Sequence, residues 1–184
     1  MIDARLRKEN MDDQRKNIFL IGFMGVGKST VAELLCEKTG AAYVEMDQVI
    51  VEQQDMAISD IFDEYGEKYF RRLETDLLLE LQTKENQIIS CGGGAVLKEK
   101  NVDIMKACGS IVLLTAEPET IYRRVKDSTH RPLLNGNMSI NYIKELMAER
   151  EDFYEEAADI RVATDHKPIE VIVEEILRKL KWDK

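Results

Sequence analysis

Histidine is nearly missing from this chain: of 184 residues only His130 and His166 are histidines, which rules out a histidine-rich metal site. Cysteine is almost as sparse. Cys36, Cys91 and Cys108 stand at unrelated spacings, forming neither a disulfide framework nor a metal-type cluster, and read as reduced thiols of a cytoplasmic protein. No apolar run approaches the roughly 20 residues that a membrane-spanning helix needs. A surplus of positive charge is lacking too: Lys and Arg number 26 against 35 Asp and Glu, a formal net charge of −9. Such a surface repels nucleic-acid phosphates and anionic lipid, so neither nucleic acid nor membrane is expected as a partner. A small anionic substrate can still bind where local arginines oppose the global field. Residues 1–16 mix both charge signs without an apolar centre, unlike a signal peptide, and are expected to form a disordered arm with Met11 as an alternative start.

The rest is ordinary for a folded chain. With 44% hydrophobic and 33% charged residues, its length suits one core rather than two, and residues 17–184 read as a single domain. Asn17 to Gly22 is a short apolar run ending in glycine, as a buried strand would be. Lys28 to Thr39 has helical spacing, with Val31, Leu34 and Leu35 on one face and Gly40 as its stop. Further strands are expected at Ala42–Glu45, Gln87–Ser90, Ser110–Leu114 and Ile160–Ala163. Further helices are expected from Ser59, over Glu67 to Thr83, from Pro118, over Ile140 to Ala157 and over Pro168 to Leu180. The polar stretch at about 127–139, DSTHRPLLNGNMS, has the composition of a mobile loop. Apolar strands alternating with helices predict an α/β fold, a three-layer sandwich with a mostly parallel five-stranded sheet flanked by helices.

The most specific pattern is Gly22-Phe23-Met24-Gly25-Val26-Gly27-Lys28-Ser29-Thr30, which fits G-x-x-x-x-G-K-[ST] between a strand and a helix. Its glycines let backbone amides converge on phosphate oxygens, and the helix N-terminus adds unpaired amides and a positive dipole end. Gly25, Val26, Gly27, Lys28, Ser29 and Thr30 are therefore the expected ATP cradle. Lys28 should reach the β- and γ-phosphates, and the Ser29 hydroxyl should ligate Mg²⁺.

A P-loop alone admits a kinase, a switch GTPase or a motor ATPase. The base-reading Asn-Lys-x-Asp of GTPases is absent, and Asp63-Glu64-Tyr65-Gly66 falls in a helical pattern rather than after a buried strand. The only apolar stretch that reaches acids is Tyr43-Val44-Glu45-Met46-Asp47. On an extended strand, Glu45 and Asp47 would project the same way at the carboxyl end of the sheet, one near Mg²⁺ and one near an acceptor hydroxyl. Arg71 and Glu74 share a helix face at i, i+3, a pairing that on an open surface is worth under about 1 kcal/mol. Gly92, Gly93 and Gly94 follow a strand and can bring amides close to a ligand. Arg150 stands on a long helix after the polar loop.

Together these segments resemble the shikimate kinases. The resemblance runs from about Asn17 to Leu180 and rests on EMD (45–47), FRRLE (70–74), CGGGAV (91–96), HRPLL (130–134) and MAEREDFY (147–154). It implies that Asp47 contacts the substrate hydroxyls and acts as, or orients, the base. By the same resemblance Arg71 and Arg150 grip the substrate carboxylate, Gly93 offers its amide to the substrate, and Glu74 holds Arg71. The region of about 47–83 would bind shikimate, with Ile58, Phe62 and Phe70 around its ring. Arg131, in the lid of about 127–139, would reach the phosphates and serve catalysis with Lys28, while Arg124 would lie beside the adenine.

Two departures stand out. The family usually carries Asp-x-Asp where this chain has Glu45-Met46-Asp47, which leaves Glu45 a metal ligand, direct or through water, or no ligand at all. The family's arginine before a proline near the adenine is replaced by Asp165-His166-Lys167-Pro168, so Lys167 or His166 takes that place. The expected reaction is transfer of the ATP γ-phosphoryl group to the 3-hydroxyl of shikimate in aromatic amino-acid biosynthesis, with Mg²⁺, by a cytoplasmic monomer. The alternatives are a kinase of gluconate or of a nucleoside monophosphate, and a nucleotide-binding regulatory module without turnover.

Overall fold

The computed structural model describes residues 17–126 and 139–182. Its centre is one sheet of five strands: β1 (Asn17–Ile21), β2 (Ala42–Glu45), β3 (Gln87–Ser90), β4 (Gly109–Thr115) and β5 (Ile160–Ala163). They lie in the order β2-β3-β1-β4-β5, and every neighbouring pair is parallel. The helices between them are α1 (Lys28–Thr39), α2 (Met46–Gln54), α3 (Ile58–Tyr65), α4 (Glu67–Leu81), α5 (Glu99–Cys108), α6 (Pro118–Val125), α7 (Ile140–Ala157) and α8 (Ile169–Lys179).

Alternation along β1 divides the core in two. Ile18 and Leu20 face a layer built on Val31, Leu35, Ile121, Ile143 and Ile176, whereas Phe19 and Ile21 face Met46, Ile50, Phe70, Leu78 and Met105. All five residues of β1 are buried, as a central parallel strand covered on both faces requires. The carboxyl ends of β1, β2 and β3 therefore open side by side on one rim, with β1 between its neighbours β3 and β4.

The expected sandwich is present, and two helices appear that the sequence reading did not anticipate. Strand β2 stops at Glu45 and α2 begins at Met46, so Glu45 and Asp47 do not alternate along an extended chain; Asp47 sits in the first turn of a helix. Its apolar residues Met46, Val49 and Ile50 are spaced i, i+3, i+4, which is enough to bury one face against the core. The second is α5, whose inward face carries the fully buried Asn101 beside Ile104 and Met105; a polar residue there hides the period. The arm of residues 1–16 and the lid segment holding Arg131 lie outside the described residues. No helix among the described residues is long and apolar enough to cross a membrane.

Candidate active site

A cleft of about 1150 Å³ opens along that rim, room for a nucleotide and a second small molecule. One wall is the P-loop. Gly25 and Gly27 have positive φ, and α1 starts at Lys28 with no side-chain cap, so its first amides point into the cleft. The Lys28 ammonium donates to the carbonyls of Gly22 at 2.9 Å and Phe23 at 3.3 Å, folding it over the loop. At the outer end Arg124 donates to the carbonyls of Gly25 and Val26 and to the Thr164 hydroxyl, at 3.1–3.2 Å, tying α6 to the loop. Thr30 and Lys167 also line this end. Lys167 pairs with Glu175 at 2.8 Å; it, and not His166, is the residue of that pair among the described lining.

The opposite wall holds the acids and arginines. Arg71 reaches Glu74 at 2.8 Å through Nη1 and Glu67 at 2.8 Å through Nη2, while Glu74 is fully buried. Burial works to lower the Arg71 pKa, yet the two carboxylates outweigh it and hold the guanidinium charged. Burial pushes the Glu74 carboxyl above its usual range, Arg71 opposes that shift, and the Asp47 charge adds to it. The two acids flank one backbone position: a Cβ on Gly92 would lie 2.7 Å from Glu74 Oε1 and 2.8 Å from Asp47 Oδ1. Two residues on, a Cβ on Gly94 would meet the Arg71 guanidinium carbon at 2.4 Å. A side chain at either glycine would push these acids or the arginine aside, so the bare turn after β3 serves as the floor beneath them.

Arg150 comes to the same cleft from α7, so the two arginines that stand 79 positions apart in sequence face one space. One turn on, the buried Tyr154 donates its hydroxyl to the carbonyl of Gly93. Burial raises the Tyr154 pKa, opposed by the positive charge of the neighbouring Arg150, so the phenol stands between the arginine and the glycine turn. Behind the turn, Thr75 of α4 donates to Asn101 Oδ1 at 2.8 Å, and Asn101 Nδ2 donates to the Ala95 carbonyl at 2.9 Å. That buried chain fixes the helix of Arg71 against the turn of Gly94. Ile58, Phe62 and Phe70 form the apolar side of the cleft.

Oxygen donors gather where the two walls meet. Ser29 Oγ donates to Glu45 Oε2 at 2.7 Å, Tyr43 donates to the same oxygen at 2.8 Å, and Asp47 lines the cleft nearby. The buried Ser90 hydroxyl, at the end of β3, lines the cleft too and has no hydrogen-bond partner among the described residues. Hydroxyls and carboxylates without nitrogen or sulfur suit a hard cation such as Mg²⁺. No group of three or more His, Cys, Asp or Glu that could enclose a metal exists among the described residues, so such an ion would lean on nucleotide phosphates and water. Sequence reasoning missed Tyr43, Ser90, Tyr154 and Thr164; of these Tyr43, two residues before Glu45 on the same strand, and Tyr154, four residues after Arg150, carried a local signal.

The comparisons agree with one another. Residues 24–181 match the family model described as Shikimate kinase. A shikimate kinase of Geobacter metallireducens is 41% identical over 88% of this chain and 89% of its own. Among solved structures, shikimate kinase from Acinetobacter baumannii in complex with shikimate superposes with a TM-score of 0.87 at 29% identity, covering 94% of this chain and 96% of that one. A gluconokinase from Sinorhizobium meliloti superposes with a TM-score of 0.54 at 16% identity over 90% of this chain and 91% of that one, a likeness of fold alone.

Proposed function

Since the chain belongs to the shikimate kinase family and is an ATP-dependent small-molecule kinase, we propose that the cleft between the P-loop and the Arg71–Arg150 wall is where ATP phosphorylates the 3-hydroxyl of shikimate. The observation that carries this reading is the convergence of Arg71 and Arg150 on the space that Asp47 also lines, opposite Lys28.

A carboxylate suits two guanidinium groups, each charge-assisted contact being worth about 1.5–3 kcal/mol. With its acid held there, the ring rests on Ile58, Phe62 and Phe70 and turns a hydroxyl toward Asp47. Asp47 accepts or orients that hydroxyl's proton as the oxygen attacks the γ-phosphorus and the bond to the β-phosphate oxygen breaks, leaving ADP. Lys28 and the loop amides hold the phosphates in line. A bound Mg²⁺, held by Ser29 with Glu45 beside it, would neutralise charge on the phosphate oxygens. We include Arg124 and Lys167 as nucleotide contacts and Arg131 as a phosphate contact in this reading, with the protein acting as a cytoplasmic monomer.

The test is an acceptor panel with ATP and Mg²⁺. ADP release is expected to rise on adding shikimate and to stay at background with gluconate or AMP. Equal stimulation by gluconate would transfer the proposal to a polyol acid, and ATP binding without acceptor-dependent turnover would leave a regulatory module.

A further inference from the structure

We propose that Tyr43 is a positioning residue for the phosphate-side metal site: its phenol holds the Glu45 carboxylate against the Ser29 hydroxyl, so that Ser29 presents a lone pair to the cation. This inference rests on the proposed Mg²⁺ site. Glutamate has one more rotatable bond than the aspartate usual at this position, and here it stands on β2, an edge strand whose four residues are all half-buried or exposed. A single hydrogen bond in such a place holds a flexible side chain weakly. In this chain two donors converge on one oxygen, Ser29 Oγ at 2.7 Å and Tyr43 Oη at 2.8 Å. Tyr43 and Glu45 lie two apart on the strand, hence on the same face, and no rearrangement of the backbone is needed to bring them together.

The chemistry follows from the direction of each bond. Ser29 donates its hydroxyl hydrogen bond to Glu45, which leaves the hydroxyl oxygen's lone pairs for a cation and makes that oxygen a better ligand. Tyr43 adds a second donation, because its hydroxyl faces a carboxylate oxygen, which can only accept. Outer-shell partners of this kind change metal affinity by about 10–100-fold when removed.

The experiment is Mn²⁺ binding to the ADP-saturated full-length protein, followed by the EPR signal of free Mn²⁺, for wild type, Tyr43→Phe, Glu45→Gln and the double variant. Tyr43→Phe is expected to weaken Mn²⁺ about tenfold while metal-free ADP affinity and the thermal transition stay at wild-type values. In the Glu45→Gln background the same change should add little, since the carboxylate it positions is gone. An unchanged Mn²⁺ affinity in Tyr43→Phe overturns the proposal. So does an equal loss in the Glu45→Gln background, or a parallel loss of metal-free ADP binding, either of which marks a merely structural tyrosine. If wild type with ADP binds no Mn²⁺ at all, the metal assignment itself fails.

Discussion

Arg71 is arranged before any acceptor arrives. Carboxylates on two sides and the bare Gly94 backbone beneath fix its guanidinium, so the ordering of a long side chain is not left to the binding event. Gly94→Ala is accordingly expected to displace the guanidinium and raise the shikimate KM with little change in ADP affinity, as steady-state kinetics and ADP titration would read. Arg150→Ala should raise the shikimate KM roughly 10–100-fold, the loss of one charge-assisted pair, and an unchanged KM would remove Arg150 from the site. Asp47→Ala should instead cut kcat by about 10²–10⁴ and leave ADP binding intact; a wild-type rate would end its assignment as base. Asp47, Arg71 and Glu74 were legible in the sequence because each stands in a segment that carries its own context. Thr164 was not, since its partner Arg124 lies 40 positions away and only the folded chain supplies it.

At the scale of elements, β1 and the helix after the P-loop were readable because glycine closes each of them, Gly22 and Gly40, behind an apolar pattern of one kind. Helix α2 was obscured by the acids at its start, which suited the end of a strand as well as the first turn of a helix. Helix α5 was obscured by Asn101, a buried amide that earns its place only through Thr75 and the Ala95 carbonyl. The hydrogen-bonded chain those residues form has a measurable weight. Thr75→Val removes the donor to Asn101 and strands its oxygen, which should cost about 1–3 kcal/mol of stability in urea unfolding. Because the same chain sets α4 against the glycine turn, the variant's shikimate KM should rise as well. A stability loss with no change in KM would show that the two elements keep their register by other means.

Considered whole, a molecule of net charge −9 concentrates five basic side chains, Lys28, Arg71, Arg124, Arg150 and Lys167, along one cleft lined by only three acids among its described residues. The local field there runs against the global one, which is what two anionic ligands require. Both core layers meet at this cleft through the central strand, so ligand binding should stabilise the fold as a unit. With ADP at about 100 times its Kd, the stabilisation is about 2.7 kcal/mol, and the thermal midpoint should move up by roughly 5–11 °C in scanning fluorimetry. A shift confined to part of the transition would mean that the two layers unfold separately.

The order of the strands also sets where such an enzyme can be retuned. The loop that grips phosphate hangs from β1, enclosed on both sides and both faces, and offers no slack for a different length of side chain. The neighbouring acid hangs from β2 at the margin, where a half-buried side chain can be one methylene longer and a tyrosine two residues away can catch it. Variation in how the cation is cradled is thus cheap at the border of the sheet and forbidden at its middle, and a lineage can drift in one while holding the other constant.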